Sequence, residues 1–145
     1  MNGRAIDHAG LSVLSVAECA TLLAAGQVGR VAFLADGEPE IFPVTYLVDG
    51  SAVVFRSAVG SKLSAALEQA AVGFEIDGFD AVHRHGWSVV IKGTCEEVQD
   101  DASLSRLEAT GFRAWTETTE MTGQFRWIRI RPYSITGRQI LPDTA

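Results

Sequence analysis

Apolar residues recur at helical spacing near the start of the chain and at every second position for most of its remaining length. Ser15 is followed three residues later by Glu18, the capping-box spacing in which each side chain satisfies a free backbone N–H of the other. Val16, Cys19, Ala20 and Leu23 then fall on one face and Gly26 supplies a stop, so a short helix is predicted here. From Gly29 the period changes to two. Residues 30–35 read as a strand, Asp36-Gly37 as a turn, residues 41–47 as the partner strand, Asp49-Gly50 as a second turn and residues 52–56 as a third strand. Such short connections predict an antiparallel meander. Pro43 has no N–H to give a ladder, so its strand is expected at an edge or at a bulge.

Gly60-Ser61-Lys62 opens a short helix through Leu63, Ala66 and Leu67. Val72, Phe74 and Ile76 mark a fourth strand, and a polar loop carries His83-Arg84-His85. Trp87, Val89 and Ile91 mark a long fifth strand, where Gly93 predicts a bulge or sharp bend. Asp100 or Asp101 caps a helix through Leu104 and Leu107 that stops at Gly111. Residues 125–131 read as a sixth strand, which Pro132 interrupts, and residues 134–140 as a seventh. Strands dominate and no strand–helix alternation runs along the chain. The expected class is therefore mainly β: an antiparallel barrel, closed or partly closed, with a few short helices packed outside. One domain is expected over residues 12–141, with flexible tails at 1–11 and 142–145.

Composition narrows the function more than the fold. The 145 residues carry 12 Lys and Arg against 18 Asp and Glu, a net charge of −6. A protein that lives by neutralising phosphates carries the opposite excess, so no nucleic-acid partner is expected. No apolar run approaches a membrane span of about 18 residues, and the first ten residues lack the apolar block of a secretory signal. A cytoplasmic protein without a membrane partner is expected. Cys19 and Cys95 are the two cysteines, read as free thiols, with Cys95 structural.

The best local candidate for chemistry is Phe55-Arg56-Ser57-Ala58-Val59-Gly60-Ser61-Lys62. A strand ends in an arginine and a hydroxyl, a glycine turn follows, and a helix opens with Ser-Lys. Arg56 and Lys62 supply charge and Ser57 and Ser61 supply donors, which together suit a phosphate. The order differs from the nucleoside-triphosphatase loop, G-x-x-x-x-G-K-[ST]. His83 and His85 are read as solvated loop residues, with no metal site expected, because no cysteine or carboxylate cluster was seen to complete one. Trp115 and Trp127 are read as core or dimer-interface residues. Of Arg126, Arg129 and Arg131, at most two share a strand face, so they establish no basic groove.

In order along the chain, Ile-Phe-Pro-Val-Thr-Tyr, Asp-Gly and Val-Val-Phe-Arg-Ser-x-x-Gly-Ser-Lys resemble the pyridoxamine 5′-phosphate oxidase-like flavoproteins. Residues 86–93, Gly-Trp-Ser-Val-Val-Ile-Lys-Gly, residues 127–132 and Thr136-Gly137-Arg138 fit the same family, so the resemblance covers roughly residues 12 to 140. It implies a six-stranded split barrel and a homodimer with flavin mononucleotide (FMN) in two shared clefts beside a small-molecule substrate. It further implies that Ile41, Phe42, Pro43, Val44, Thr45 and Tyr46 lie along the isoalloxazine, with backbone hydrogen bonds to its polar edge. Arg56, Ser57, Ser61 and Lys62 would hold the phosphate, Trp87 and Ser88 would line the cleft, and Arg138 would approach from the second subunit. The resemblance does not extend to the Arg-x-His pair with which authentic oxidases grip their substrate phosphate. Here that region reads Gly137-Arg138-Gln139-Ile140-Leu141, and Ile135-Thr136 stands where those enzymes have tryptophan. One basic residue follows Ser61 where they have two. The implied activity is an FMN-dependent oxidoreductase other than pyridoxamine phosphate oxidase. A deazaflavin-dependent reductase and a non-catalytic flavin- or haem-binding protein are the alternatives, and no catalytic acid or base is assigned.

Overall fold

The computed structural model describes residues 5–7, 10–115 and 124–141. The predicted first helix is α1, Val16–Ala25, and its capping box is complete. The Glu18 N–H donates to Ser15 Oγ at 3.1 Å and the Ser15 N–H to Glu18 Oε1 at 3.0 Å. A two-residue strand β1, Ser12–Val13, precedes it. β2, Val28–Ala35, and β3, Glu38–Thr45, form one hairpin. β4, Leu47–Asp49, and β5, Ala52–Ala58, form another. A 3-10 helix, Lys62–Glu68, leads to β6, Val72–Asp80, and β7, His85–Glu97. α2, Asp101–Glu108, capped by Asp100, and β8, Phe125–Ile140, complete the described elements.

All the strands lie in one antiparallel sheet of order β3-β2-β6-β7-β8-β5-β4, with β1 on β8. The sheet curls into the mainly β, split-barrel type of architecture expected from the sequence. Alternation along β5 explains how it buries both faces. Val53 and Phe55 point into the main core with Val31, Phe74, Ile91 and Ile130. Val54 points the other way, into a smaller cluster with Val98, Leu107 and Trp127 beneath α2. Among the described residues, no helix is long and apolar enough to cross a membrane.

The predicted meander is not formed. Among the described residues, β3 pairs only with β2, while β5 pairs with β4 and β8. The chain leaves the first hairpin at Tyr46, whose N–H donates to Gln27 O at 3.0 Å and whose buried hydroxyl donates to Leu23 O at 2.6 Å. That anchor carries the chain from one edge of the sheet to the other. It also requires Gly26, since a Cβ there would lie 2.2 Å from the Tyr46 hydroxyl. β3 is a sheet edge, as Pro43 implied.

Pro132 does not divide the last strand. β8 runs through it because the register slips there: Gly93 faces Pro132 while Lys92 faces Ser134, leaving Tyr133 as the extra residue of a bulge. A proline is tolerated where the ladder is already broken. The bend expected at Gly93 is this bulge, and a Cβ at Gly93 would come 2.4 Å from Arg131 O. The tail expected at residues 142–145 lies outside the described residues. Of the expected N-terminal tail, the Ala5 carbonyl accepts the Val13 N–H at 2.8 Å, and Asp7 holds Arg138, with Oδ2 2.6 Å from Nε.

Candidate functional site

Edge strand β3 and the end of β5 border a cleft of about 240 Å³, lined by Val28, Pro43, Val44, Thr45, Arg56, Leu63, Ala114 and Trp115. Of the six residues expected along a ring, the structure brings only Pro43, Val44 and Thr45 to this cleft. The pleat alone does not set this division, since Val44 shares the inward face of Phe42 yet lines the cleft, and Ile41 shares the face of Pro43 and Thr45 yet does not. Phe42 stacks on Phe33 at 6.0 Å, and Tyr46 packs edge-on against Phe74 at 5.1 Å, so both turn inward. Burial pushes the Tyr46 hydroxyl up to about 12, as suits a neutral core clamp. Ile41 is exposed and lines none of the cleft. Trp115, expected in a core or an interface, is 70% exposed at the cleft, where its backbone N–H donates to Thr45 Oγ1 at 3.1 Å.

The turn after β5 gathers the four residues expected to meet a phosphate. Ser57 and Ser61 lie Oγ to Oγ at 3.0 Å, with Ser57 buried. Gly60 at φ 79° makes the reversal between them. The Arg56 guanidinium sits 4.8 Å from the centre of the Phe125 ring and 5.6 Å from that of Trp127, which flattens it against the sheet. The helix that follows is a 3-10 helix of seven residues, and Ser61 Oγ already accepts the Ser64 N–H at 3.3 Å. Positive charge at this turn therefore comes from Arg56 and Lys62 rather than from a helix dipole. Sequence reasoning missed Glu40, whose Oε1 lies 3.0 Å from Lys62 Nζ. Its strand position marked it only as one more polar residue of a hairpin.

Trp87, Ser88 and Arg138 are brought together elsewhere. β7 and β8 pair Ser88 with Arg138 and Trp87 with Gln139. The three line a hollow of about 200 Å³ with Asp77, Gly78 and Phe79. The Trp87 ring lies against Gly78, where a Cβ would be 2.9 Å from the indole. Neither hollow contains a residue of the other.

Elsewhere the arginines of β8 serve structure. Arg129 reaches Glu96 at 3.1 Å and Asp49 at 3.4 Å, and Arg131 reaches Glu96 at 2.5 Å. Burial raises both cysteine thiols, Cys95 to about 12, so neither offers a nucleophile at neutral pH.

A curled antiparallel sheet with a charged, hydroxyl-rich turn beside its edge-strand cleft is an architecture of the split-barrel type. Residues 15–139 match the family model of pyridoxamine 5′-phosphate oxidase, and the chain belongs to that family. It is 33% identical over 132 residues to the uncharacterized protein Rv0080 of Mycobacterium tuberculosis, covering 88% of this chain and 84% of that one. Among solved structures it is similar to the FAD binding protein of Mycobacterium smegmatis, with TM-score 0.76, 36% identity and coverage of 89% of this chain and 98% of the other. A FAD-binding protein of Mesorhizobium loti is similar at TM-score 0.74 and 26% identity, over 90% and 99% of the two chains.

Proposed function

We propose that the chain binds a flavin nucleotide in a cleft completed by a second copy of itself, and works as a flavin-dependent oxidoreductase. The observation that carries this reading is the end of β5 and the turn after it, where Ser57 and Ser61 touch, Lys62 follows directly, and Arg56 lines the cleft together with Pro43, Val44 and Thr45. The residues fit the group. Two cations and two hydroxyls suit a phosphate, and β3 presents an edge that no further strand covers among the described residues. The bound flavin would supply the hydride and electron chemistry. The chain's own residues bind the phosphate, present strand backbone to the polar ring edge and, through Trp115 and Leu63, narrow the access of water.

FMN was the cofactor implied by the sequence resemblance, whereas the two similar structures are of FAD-binding proteins. Both nucleotides carry a phosphate on the ribityl chain, and that phosphate is what the turn would recognise. The second copy enters on geometry. A cleft of about 240 Å³ is smaller than the roughly 300–1,000 Å³ of ordinary ligand pockets. Trp87, Ser88 and Arg138 line a separate hollow in the same chain. A twofold pair in which one copy's hollow faces the other's cleft would bring Trp87, Ser88 and Arg138 to Arg56, Pro43, Val44 and Thr45. Pyridoxamine phosphate is not the proposed substrate, because Arg138 lacks a histidine partner and is held by Asp7.

Mass identification of whatever heat releases from the purified protein tests this reading. FAD or FMN is the expected outcome, and the mass separates the two. A protein that carries neither, and takes up neither when supplied, would overturn it.

A further inference from the structure

We propose that the tip of the β6–β7 hairpin is a binding site for a divalent transition metal, with Asp80, His83 and His85 as its ligands. The last residue of β6, Asp80, pairs directly with the first residue of β7, His85. Between His83 and His85, Arg84 adopts φ 53°, the left-handed region that a non-glycine residue enters rarely. The two imidazoles lie 6.2 Å apart, centre to centre, and both face one carboxylate.

That carboxylate is held in place. Asp80 Oδ1 accepts the backbone N–H groups of Val82 and His83 at 2.9 and 3.0 Å. Oδ2 is turned to the histidines, 2.8 Å from His83 Nδ1 and 3.8 Å from His85 Nε2. The three donor atoms lie within 4.8 Å of one another. Bonds of about 2.0–2.2 Å around a tetrahedral ion place donors roughly 3.4 Å apart. The hairpin is therefore close to a coordinating arrangement and reaches it by side-chain rotation on an exposed turn.

The donor set selects the class of ion. Two imidazole nitrogens and one carboxylate oxygen suit Zn²⁺ and its neighbours Ni²⁺ and Cu²⁺, whereas Mg²⁺ and Ca²⁺ prefer oxygen alone. The His83–Asp80 hydrogen bond needs a proton on Nδ1; an ion bound there would require that proton to move to Nε2 or leave to solvent, freeing the Nδ1 lone pair, and no oxidation state changes. Three protein donors leave at least one position for water or an external donor. None of the three residues lines either hollow described above, but their neighbours Phe79 and Gly86 line that of Trp87. A bound ion would brace that wall. The spacing Asp-x-x-His-x-His was present in the sequence. The carboxylate went unseen because it belongs to the strand before the loop.

Calorimetric titration of the metal-stripped full chain with Zn²⁺ tests the site. One ion per chain is expected, with Mg²⁺ failing to compete and Zn²⁺ raising the thermal midpoint. Loss of an outer-sphere partner alone weakens metal sites about tenfold to a hundredfold, so Asp80→Asn and His85→Ala should each cost at least that. Both changes fall at partly exposed strand ends beside the turn, and circular dichroism checks that the fold is kept. Co²⁺ in place of Zn²⁺ should show visible bands that vanish in the His83→Ala/His85→Ala double variant. Binding by that double variant as tight as by the parent chain, or binding that follows His8 or a cysteine instead, would overturn the proposal.

Discussion

Lys62 and Glu40 set the sharpest test at the scale of single residues. Lys62 is 72% exposed yet holds Glu40 at 3.0 Å, so a phosphate arriving at the turn must compete with a carboxylate already there. Removing the cation and removing its competitor should therefore act in opposite directions. A charge-assisted hydrogen bond is worth about 1.5–3 kcal/mol, so Lys62→Ala is expected to weaken FMN by roughly tenfold to a hundredfold. Riboflavin, without a phosphate, should change little. Glu40→Gln should strengthen FMN and leave riboflavin alone. Fluorescence titration of both ligands against the three proteins checks this, and equal losses for both ligands in Lys62→Ala would move Lys62 away from the phosphate. The turn itself was legible because its residues are consecutive. Glu40 was not, because it reaches Lys62 only through the fold, across 22 positions of sequence.

At the scale of elements, two junctions decide how helices sit on the sheet. α1 lies on β8 at Gly137, where a Cβ would meet Cys19 Sγ at 2.5 Å and Leu14 at 3.0 Å. Overpacking of this kind costs about 1–3 kcal/mol, so Gly137→Ala should lower the urea midpoint by a corresponding amount with the m-value unchanged. α2 is tied to β4 and β8 through Asp49, which accepts from Arg106 at 2.9 Å and lies 3.4 Å from Arg129. The Arg106 hydrogen bond, with Arg129 behind it, holds the Asp49 carboxyl below its ordinary range. A lowered folded value means stability that is fully present above the unfolded carboxylate range and is lost as pH falls through the folded value. Asp49→Asn should therefore unfold more easily than the parent chain at neutral pH, and the gap should close under acid. A gap that persists at low pH would assign it to packing instead. Elements with local signals were readable, among them the capping box of α1, the Gly93 bulge and the edge position of Pro43. The meander was misread because the Tyr46 anchor depends on Leu23, Gln27 and Gly26, none of which neighbours it in sequence. Pro132 was misread because the bulge that excuses it needs β7 as a partner.

At the scale of the whole molecule, family and fold agree, and several of the expected site residues fall in two separate hollows of one chain. Only the resemblance implied a cleft shared by two copies, with Arg138 approaching from the second; within one chain, Trp87, Ser88 and Arg138 line a hollow apart from the phosphate turn and the ring strand. A periodicity argument reads one chain at a time and cannot join residues across a symmetry axis. The proposed pairing predicts a dimer at micromolar concentration in sedimentation equilibrium, and Trp87→Ala should weaken flavin binding although Trp87 lies outside the phosphate cleft. A monomer at every concentration would remove the shared cleft. The central claim, flavin binding at the β5 turn, is tested most directly by calorimetric titration of the flavin-free chain with FAD and with FMN. The account predicts saturable binding of at least one of them at one flavin per chain, lost or strongly weakened in Lys62→Ala. No saturable heat with either nucleotide, from a folded protein, would contradict it.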